Sequence, residues 1–445
     1  DITTNAKPEE IQKLFPETFY ENTYGTVGVV RETEDPTLKV VEVTPYRKEG
    51  AYSDARRPDT VEFGVSMEED LTRRDFTINA LAYRPKTGEL VDQHGGQEDI
   101  KKKLVRAVGE PSLRFQEDAL RMMRAIRLSG ELGFAIEQKT AEAIHQNAKN
   151  LEKISKERIR DELVRILETG EPMAAISLAQ KLGLLKHIVP DLERGIGVKQ
   201  NQAHSYDVFE HNIRAMQHGA DKEWNFLIRL SALLHDISKP ETRRWSDEKK
   251  DWTFYGHDVV GAKLARKILH DLKFSKEISE KVVKLVRWHM FFSDPDQVTL
   301  SAVRRIITNV GPENITDLLQ LRICDRIGTG RPKEQPFRLR KYMAMVDEAL
   351  RDPISVGMLK VDGKSVMEFT GEKPGPRIGW ILHALLEEVL EDPKKNTKEY
   401  LEEKIRVLAT MEDSALREMG EGGKEAREEA EEAELQKIRE KHHVD

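Results

Sequence analysis

The sequence predicts an α+β protein, with a small α/β region at its N-terminal end and a long all-helical region after it. β-rich runs bounded by polar turns occur before Leu104 and become rare after it. Beyond Leu104, apolar residues recur at the spacing of amphipathic helices over most of the chain. At 445 residues the chain is long enough for several domains, each with its own core.

Cysteine usage and charge narrow the class of protein. The single cysteine, Cys324, excludes an intrachain disulfide, no apolar run could span a bilayer, and no segment resembles a signal peptide. We therefore expect a cytoplasmic protein without a membrane partner. The net charge of −7 comes mainly from residues 411–445, which hold 12 acidic and 6 basic residues. Residues 101–127 carry eight Lys or Arg against three Asp or Glu, an excess suited to phosphate groups.

Four segments are readable in the N-terminal region. Residues 24–47 predict an antiparallel hairpin, because the β-rich runs YGTVGVV and LKVVEVTPYR flank the polar segment RETEDPT. Residues 48–66 are charged, contain Gly, Pro and Ser and lack periodicity, which predicts a mobile loop. The pattern from Glu68 to Ala82 is helical, and ELVD at 89–92 predicts a short strand. These elements predict an antiparallel or mixed sheet with a few helices.

Composition divides the chain into five parts. Residues 1–104 form the predicted α/β head, and residues 105–195 contain amphipathic helices that we call the neck. Residues 196–335 hold most of the histidines, and residues 336–410 predict a further helical body. Residues 411–445, rich in Glu, Ala, Lys and Arg, predict a charged tail that is either a polar helix or disordered.

Residues 117–127, EDALRMMRAIR, predict a helix that could read a nucleobase. Asp118 and Arg121 would be neighbours on its surface, so that a carboxylate acceptor lies beside a guanidinium donor. This pair complements an exocyclic amine next to a ring nitrogen, an edge that adenine and cytosine present and guanine and uracil do not. An isolated pair at this spacing is more often a surface ion pair. Arg124 and Arg127 rotate around the helix after it, unlike a single salt-bridged stripe.

Three upstream segments favour base reading over a surface ion pair. They are DITTNAKPEEI at Asp1–Ile11, VEVTPYR at Val41–Arg47 and RRDFTINA at Arg73–Ala80. Together with residues 117–127, they resemble the class II tRNA nucleotidyltransferases, the bacterial CCA-adding enzymes and their poly(A) polymerase relatives. The resemblance implies a nucleotidyltransferase head that adds C and A, or only A, to tRNA 3′ ends. CTP and ATP would be the substrates, Mg²⁺ the cofactor and the protein itself the template.

The resemblance also implies which residues form the head site. Asp1 and Glu42 would be the catalytic Mg²⁺ ligands, because phosphoryl transfer needs hard carboxylate ligands. Glu42 stands in a β run whose flanking valines face the opposite side, although a lone Glu in a strand is more often a solvated face residue. Asp1 matches only the second Asp of the family's D-x-D pair, and the family's glycine-rich loop is absent. We therefore expect a truncated head, with a preceding segment missing.

The remaining matched residues of the head and neck fall into two groups. Those implied to bind the nucleotide, its ribose, its base or its phosphates are Arg74, Asp75, Asn79, Asp118, Arg121, Arg124 and Arg127. Asp92, Gly95 and Gly96 resemble the family's D-x-x-G-G hinge, where glycine permits backbone angles that other residues resist.

A second constellation lies in the helical region and resembles the HD superfamily. Its members are His211, His235, Asp236, His257, His289 and Asp325. Imidazole and carboxylate suit transition metals or Mg²⁺, and an adjacent His-Asp pair can supply a terminal and a bridging ligand to two ions. The rival to nucleotide addition is an HD-type phosphohydrolase or cyclic phosphodiesterase with a vestigial head. A poly(A) polymerase is a further alternative. The sequence does not indicate the oligomeric state.

Overall fold

The computed structural model divides the chain into two compact units, which are described separately. The first comprises the residues through Arg194 together with Ala220–Phe226 and Ile268–Phe274, and the second comprises the rest. The predicted α+β class is confirmed, with small sheets at the N-terminal end and helices after them. The structure describes residues 2–20, 25–50, 60–202, 204–291 and 298–421.

The strands of the first unit are short. They are β1 (Ile2–Thr4), β2 (Thr18–Tyr20), β3 (Val27–Val30), β4 (Val40–Pro45), β5 (Arg47–Glu49), β6 (Val61–Phe63), β7 (Leu81–Arg84), β8 (Glu89–Asp92), β9 (Leu104–Val105) and β10 (Ala135–Ile136). Its helices are α1 (Pro8–Leu14), α2 (Met67–Thr72), α3 (Gly96–Lys102), α4 (Pro111–Glu117), α5 (Leu120–Leu132), α6 (Gln138–Asn147), α7 (Lys156–Glu168), α8 (Pro172–Lys181), α9 (Leu185–Ile188) and α10 (Pro190–Glu193).

The head is built on a mixed four-stranded sheet in the order β1-β4-β3-β2. Strand β1 pairs with β4 in parallel, and the other neighbours are antiparallel. The predicted hairpin is confirmed, since β3 and β4 pair with Val29 opposite Val41. Alternation along these strands buries Val27, Val29 and Val43 on one face, where they form a core with Ile11 of α1.

Two sequence predictions in the head are wrong. The predicted loop 48–66 contains strands β5 and β6 at its ends, which pair with each other, and residues 51–59 lie outside the described residues. The predicted helix from Glu68 to Ala82 ends with α2 at Thr72. Beyond it, Phe76 is fully buried and bridges to Ala107, and β7 pairs with β8. These distant backbone partners override the helical pattern, because tertiary pairing outweighs local propensity. The predicted strand at 89–92 is confirmed as β8.

The predicted continuous helix over residues 117–127 is also wrong. Helix α4 ends at Glu117, and Asp118 is extended, with φ −142° and ψ 105°. The Asp118 carboxylate then accepts a hydrogen bond from the backbone N–H of Leu120 at 3.1 Å, at the start of α5. Short carboxylates favour such local bonds to otherwise unsatisfied helix N–H groups, and this explains the break in the helix. Within the neck, α5 packs against α7 and α8.

The described residues of the second unit are helical apart from one hairpin. Following the helix α11 (Val208–Asp221), the elements are α12 (Phe226–Leu234), α13 (Lys239–Thr242), β11 (Arg244–Ser246), β12 (Asp251–Thr253), α14 (His257–Asp271), α15 (Lys276–Trp288), α16 (Leu300–Val310), α17 (Ile315–Gly328), α18 (Phe337–Ala349), α19 (Gly363–Thr370), α20 (Pro376–Glu391), α21 (Lys398–Ala409) and α22 (Asp413–Glu421). Helix α22, at the start of the predicted tail, packs on α20 and buries Leu416. Among the described residues, no helix combines the length and apolar character that crossing a membrane requires.

Candidate active sites

Glu42, one of the two carboxylates predicted to hold Mg²⁺, lies on β4 of the head sheet. Its neighbour Val43 is buried in the core, whereas Glu42 is exposed on the other face. Glu42 pairs in register with Gly28 of β3. The Phe19 ring lies over Gly28, because a Cβ at that position would be 2.5 Å from the ring as it stands. The other predicted ligand, Asp1, lies outside the described residues.

Three predicted nucleotide-binding residues come together in one hydrogen-bonded group. The buried Asp75 carboxylate accepts hydrogen bonds from Asn79 Nδ2 at 3.2 Å and from Arg124 Nε at 2.8 Å. Arg124 Nη2 lies 2.6 Å from the same oxygen, Asp75 Oδ2, so two guanidinium nitrogens converge on one carboxylate oxygen. This pair ties the RRDFTINA segment to helix α5. The predicted phosphate role of Arg124 stays a prediction, because its guanidinium bonds a protein carboxylate here.

Arg74 bonds a carboxylate that sequence reasoning missed. Asp70 is almost completely buried, and its oxygens lie 2.7 Å from Arg73 Nη2 and 3.2 Å from Arg74 Nη2. Asp70 also accepts a hydrogen bond from the backbone N–H of Arg47 at 3.2 Å. The two arginines follow Asp70 at helical spacings of three and four, a signal that was available in the sequence. Asp70 therefore positions the pair of arginines that opens RRDFTINA.

Asp118 and Arg121, the predicted base-reading pair, are each held by another residue. Arg158 of α7 donates two hydrogen bonds to the Asp118 carboxylate, from Nη2 to Oδ2 at 2.7 Å and from Nη1 to Oδ1 at 3.3 Å. Arg121 Nη1 lies 2.6 Å from Glu117 Oε2, and Arg121 Nη2 donates to the carbonyl of Arg73 at 3.2 Å. Sequence reasoning missed Arg158, because its partner is 40 residues away. The two predicted base-reading groups are thus oriented by their neighbours, without an ion pair between them among the described contacts.

Arg127 is part of the helical framework of the neck. Its Nε lies 2.6 Å from Oε1 of the buried Glu162 on α7, and its Nη1 lies 2.8 Å from Glu131. Such a charge-assisted pair aligns α5 with α7. The predicted phosphate role of Arg127 stays a prediction, as does that of Arg124.

The predicted hinge residues form a helix cap. The Asp92 carboxylate accepts hydrogen bonds from the backbone N–H groups of Gly96 at 2.8 Å and Gln97 at 3.0 Å, at the start of α3. These bonds outweigh the effect of burial and lower the pKa of Asp92. Gly95 has φ +74°, and a Cβ at Gly96 would lie 2.3 Å from the carbonyl oxygen of Thr77. Both glycines are required by this turn, and flexing about it stays a prediction.

The histidine constellation converges into one buried cluster in the second unit. Its members come from α11, the turn after α12, the first residue of α14, the residue after α15 and helix α17. All six predicted members are buried, and we call them the histidine cluster: His211, His235, Asp236, His257, His289 and Asp325.

Asp236 lies at the centre of this cluster, between two pairs of imidazoles. Its Oδ2 is 3.0 Å from His211 Nε2 and 3.3 Å from His235 Nε2. Its Oδ1 is 3.2 Å from His257 Nε2 and 3.5 Å from His289 Nε2. One carboxylate therefore faces two groups of nitrogen donors through its two oxygens, which is the arrangement that a bridging metal ligand requires.

Backbone carbonyls orient three of these imidazoles. His235, His257 and His289 each place Nδ1 within 2.6–2.7 Å of the carbonyl oxygen three residues earlier. A carbonyl can only accept, so each Nδ1 carries a hydrogen, and Nε2 is the ring nitrogen that faces Asp236. This orientation through the second ring nitrogen is typical of histidines that ligate metals.

Two carboxylates add oxygen donors to the imidazoles of the cluster. Asp325 Oδ1 lies 3.4 Å from His211 Nε2 and 3.6 Å from His235 Nε2, so two carboxylates share one buried space. Burial alone would lower the pKa of His235, but Asp236 and Asp325 raise it to about 10. Asp236 is near the ammonium of Lys239, 2.5 Å away, yet its buried oxygens have no aligned hydrogen bond among the described residues. The donor set therefore fits divalent metal ions.

Two further residues of this site were missed. His204 lies within ligand distance of His211, Asp236 and Asp325, and its Nδ1 is 2.7 Å from Asn201 Oδ1. Burial and the charge of Lys239 lower the pKa of His204 to about 3, which leaves a neutral donor. Lys239 follows Asp236 by three residues in HDISKP, a spacing that could have indicated it.

Comparison with known proteins places these features in one family. The Poly A polymerase head domain matches residues 1–106, the probable RNA and SrmB-binding site of polymerase A matches residues 133–196, and the HD domain matches residues 204–329. Fold and sites thus define a nucleotidyltransferase head joined to an RNA-binding region and an HD domain.

The proteins most useful for comparison are enzymes that add nucleotides to tRNA. The chain is 35% identical over 339 residues to an A-adding tRNA nucleotidyltransferase of Deinococcus radiodurans, covering 74% of this chain and 76% of that protein. It is 32% identical over 402 residues to a CCA-adding enzyme of Geobacillus thermodenitrificans, covering 90% and 86%. The Bacillus stearothermophilus CCA-adding enzyme in complex with CTP superimposes with a TM-score of 0.62 and 26% identity, covering 91% and 88%. The chain belongs to the class II tRNA nucleotidyltransferases, and the predicted enzyme class is confirmed.

Proposed function

We propose that this enzyme adds C and A nucleotides from CTP and ATP to the 3′ ends of tRNA. The observation that carries this proposal is the rigid setting of Asp118 and Arg121. Arg158 grips Asp118 through two nitrogens, while Glu117 and the Arg73 carbonyl hold Arg121. Groups fixed in this way can select a base by hydrogen bonding without a nucleic acid template, because little ordering is needed on binding.

The relatives favour tRNA addition over poly(A) synthesis. Their names describe A-adding, CC-adding and CCA-adding enzymes, at 34–35% identity for the first two and 32% for a CCA-adding enzyme. A tRNA partner also agrees with the basic excess of residues 101–127, where the head meets the neck. We further propose that the enzyme acts in the cytoplasm.

Mg²⁺ is the proposed cofactor of the head, with Glu42 and Asp1 as its ligands. Glu42 offers a hard oxygen donor on the sheet face that turns away from the core. When bound, a divalent ion neutralises charge on the triphosphate and favours attack by the RNA hydroxyl. The residues of the chain select the base, orient the triphosphate and hold the tRNA.

A ladder of tRNA transcripts tests this proposal. Transcripts that end before CCA, after C and after CC are incubated with CTP, ATP or both, and product lengths are read on sequencing gels. Addition restricted to C and A on at least one transcript is the expected result, and the transcripts extended distinguish A-adding, CC-adding and CCA-adding enzymes. Equal addition of all four nucleotides would overturn the proposal, as would absence of any addition by the full-length gene product.

We propose a second activity at the histidine cluster, the metal-dependent hydrolysis of phosphomonoesters or 2′,3′-cyclic phosphates. The position of Asp236 between two imidazole pairs favours it. His211, His235 and Asp325 would share one ion with Asp236, and His257 with His289 would share the other. When bound, two divalent cations neutralise a phosphate ester and lower the barrier to its hydrolysis.

Metal analysis combined with a phosphatase assay tests the second activity. The purified protein should retain a transition metal or Mg²⁺ and hydrolyse a 2′,3′-cyclic nucleotide or a phosphomonoester. Hydrolysis without nucleotide addition would instead support the alternative of a vestigial head. Negligible metal and no hydrolysis after loading with Mn²⁺, Mg²⁺ or Zn²⁺ would overturn this assignment.

A further inference from the structure

A large cavity reaches the histidine cluster. Its volume is about 1030 Å³, and Asp236, His257 and Asp325 line it. That volume lies just above the range of roughly 300–1,000 Å³ for ligand pockets, and it exceeds what inorganic phosphate requires. The cavity can therefore accommodate a ligand with a sizeable group attached to its phosphate.

Three large apolar side chains with high exposure line the same cavity. Tyr255 is 66% exposed, Phe337 is 69% exposed and Met290 is 54% exposed. Single exposed apolar residues are common on protein surfaces, but several around one opening mark a binding surface. Two of the three are aromatic rings, whose faces suit planar ligands.

The hairpin that carries part of this mouth is held in place by its own side chains. Lys249 donates a hydrogen bond to the Tyr255 hydroxyl at 2.6 Å, which steadies the ring and leaves it exposed. Trp252, also a lining residue, packs edge-on against Trp245 with centroids 5.3 Å apart, and the Arg243 guanidinium lies 3.4 Å from its centroid. A ring that is already positioned loses little conformational entropy when a ligand stacks on it.

Cations outnumber carboxylates in the lining of the cavity. Its six basic members face three carboxylates, and two of the carboxylates, Asp236 and Asp325, belong to the histidine cluster. The basic members are Lys239, Lys249, Arg322, Arg326, Arg331 and Arg338. The third carboxylate, Asp251, accepts hydrogen bonds from the backbone of Gln202 and Trp252.

We propose that the aromatic mouth, formed by Tyr255 and Phe337 beside the histidine cluster, is a base-stacking platform that selects phosphates carried by an unpaired nucleotide. This inference rests on the hydrolytic activity proposed above. Stacking rings and crowded arginines in one cavity match the two parts of a nucleotide, its base and its phosphate, whereas a phosphate without a base would use only the arginines. The nucleotide could be free or could end an RNA strand.

Binding measurements on the whole protein test this platform. Titrations with adenosine 3′-monophosphate and with ribose 5-phosphate, which lacks a base, give the contribution of the base to affinity. Tyr255→Leu and Phe337→Leu keep apolar bulk but remove the ring. Loss of stacking should weaken the nucleotide about 5- to 150-fold and leave ribose 5-phosphate unchanged.

Matched controls separate stacking from other effects. Tyr255→Phe keeps the ring and loses the bond to Lys249, so that it should bind nearly as the wild type does. Tyr83→Leu removes an equally exposed tyrosine of the head, remote in sequence from this cavity, and should change nothing. If the double variant Tyr255→Leu/Phe337→Leu, with an unchanged melting temperature, binds the nucleotide as tightly as the wild type, the platform is overturned.

A second arm identifies the source of the nucleotide. A five-residue RNA with a 3′-phosphate replaces the mononucleotide, and the same variants are compared. Weaker binding of either ligand by the leucine variants supports the platform. Weaker binding of the RNA alone assigns the site to an RNA end. Insensitivity with both overturns it. Because binding is read without turnover, a protein that binds the base through Tyr255 but hydrolyses nothing would refute the proposed hydrolysis and leave the platform standing.

Discussion

At the scale of the residue, Asp118 has two tasks that substitutions can separate. Its carboxylate accepts from the Leu120 backbone at 3.1 Å and pairs with Arg158 at 2.7 Å, and we propose that it also accepts from the amine of cytosine or adenine. Both acceptor roles use the same two oxygens. Asn keeps one oxygen for the cap and replaces the other with a donor, whereas Ala removes both.

We expect Asp118→Asn to relax selection against UTP and GTP with a smaller loss of stability than Asp118→Ala. The lost hydrogen bond should change the ratio of kcat/KM values for CTP over UTP by about 5- to 150-fold, from roughly 1–3 kcal/mol. Single-nucleotide incorporation on tRNA measures the ratio. Unchanged selectivity in a folded Asp118→Asn variant would remove the base-reading role.

Sequence motifs indicated which residues to group, whereas partners outside those motifs were missed. The six residues of the histidine cluster were predicted from their types and motifs, and the structure brings them together. Arg158 was missed because nothing in α7 indicates that its partner lies 40 residues upstream. His204 was missed because it stands outside the matched segments, although it precedes His211 by seven residues.

At the scale of the element, the break between α4 and α5 positions the proposed base-reading pair. A continuous helix was predicted over residues 117–127. The local sequence does not indicate that the Asp118 carboxylate bonds the backbone N–H of Leu120 and Arg158 of α7. The hairpin β3–β4 and strand β8 were predicted correctly, since their patterns and neighbours are local in sequence. Strands β5 and β7 were missed, because their identity comes from pairing rather than from composition.

Arg158 joins α7 to this break, and we expect Arg158→Lys to retain charge but lose the two-point grip on Asp118. The free energy of unfolding should fall by about 1–3 kcal/mol, and discrimination of CTP from UTP should fall by less than in Asp118→Asn. Urea unfolding and single-nucleotide incorporation give the two values. Arg160→Lys, on the same helix, serves as the control. Full discrimination in Arg158→Lys would show that Asp118 needs no positioning by α7.

Helices α20 and α21 are joined by a charged cluster around Glu388. Lys395 at 2.7 Å, Tyr400 at 2.9 Å and Lys404 at 3.0 Å bond this carboxylate and lower its pKa to about 2. A depressed pKa contributes stability above the unfolded value near 4.5, and this contribution disappears as pH falls through about 2.

Glu388→Gln should therefore lower the free energy of unfolding at pH 7 and have progressively less effect as pH falls below 4.5. Because the side chain is partly exposed to solvent, we expect a loss of less than about 1 kcal/mol. Paired urea titrations of the wild type and the variant at several pH values between 2.5 and 7 follow the difference. A difference that is constant with pH would contradict the charged role.

At the scale of the whole molecule, one chain carries two sets of chemistry-bearing residues in two compact units. The proposed base-reading pair belongs to the first unit and the histidine cluster to the second. The metal ligands proposed for the two units also differ. Carboxylate oxygens are proposed for Mg²⁺ in the head, whereas the histidine cluster offers imidazole nitrogens together with carboxylates. We therefore expect nucleotide addition and metal binding by the cluster to respond separately to mutation.

The most direct test of this account is metal content and tRNA extension measured on the same preparations of wild type and Asp236→Asn. Asn keeps the shape of the central carboxylate but removes the charge that we propose two cations share, so the variant should lose the bound metal and the phosphate-ester hydrolysis. Addition of C and A to tRNA should persist at the wild-type rate. Equal metal in both proteins, or loss of nucleotide addition in a variant with an unchanged circular dichroism spectrum, would contradict the separation of the two sites.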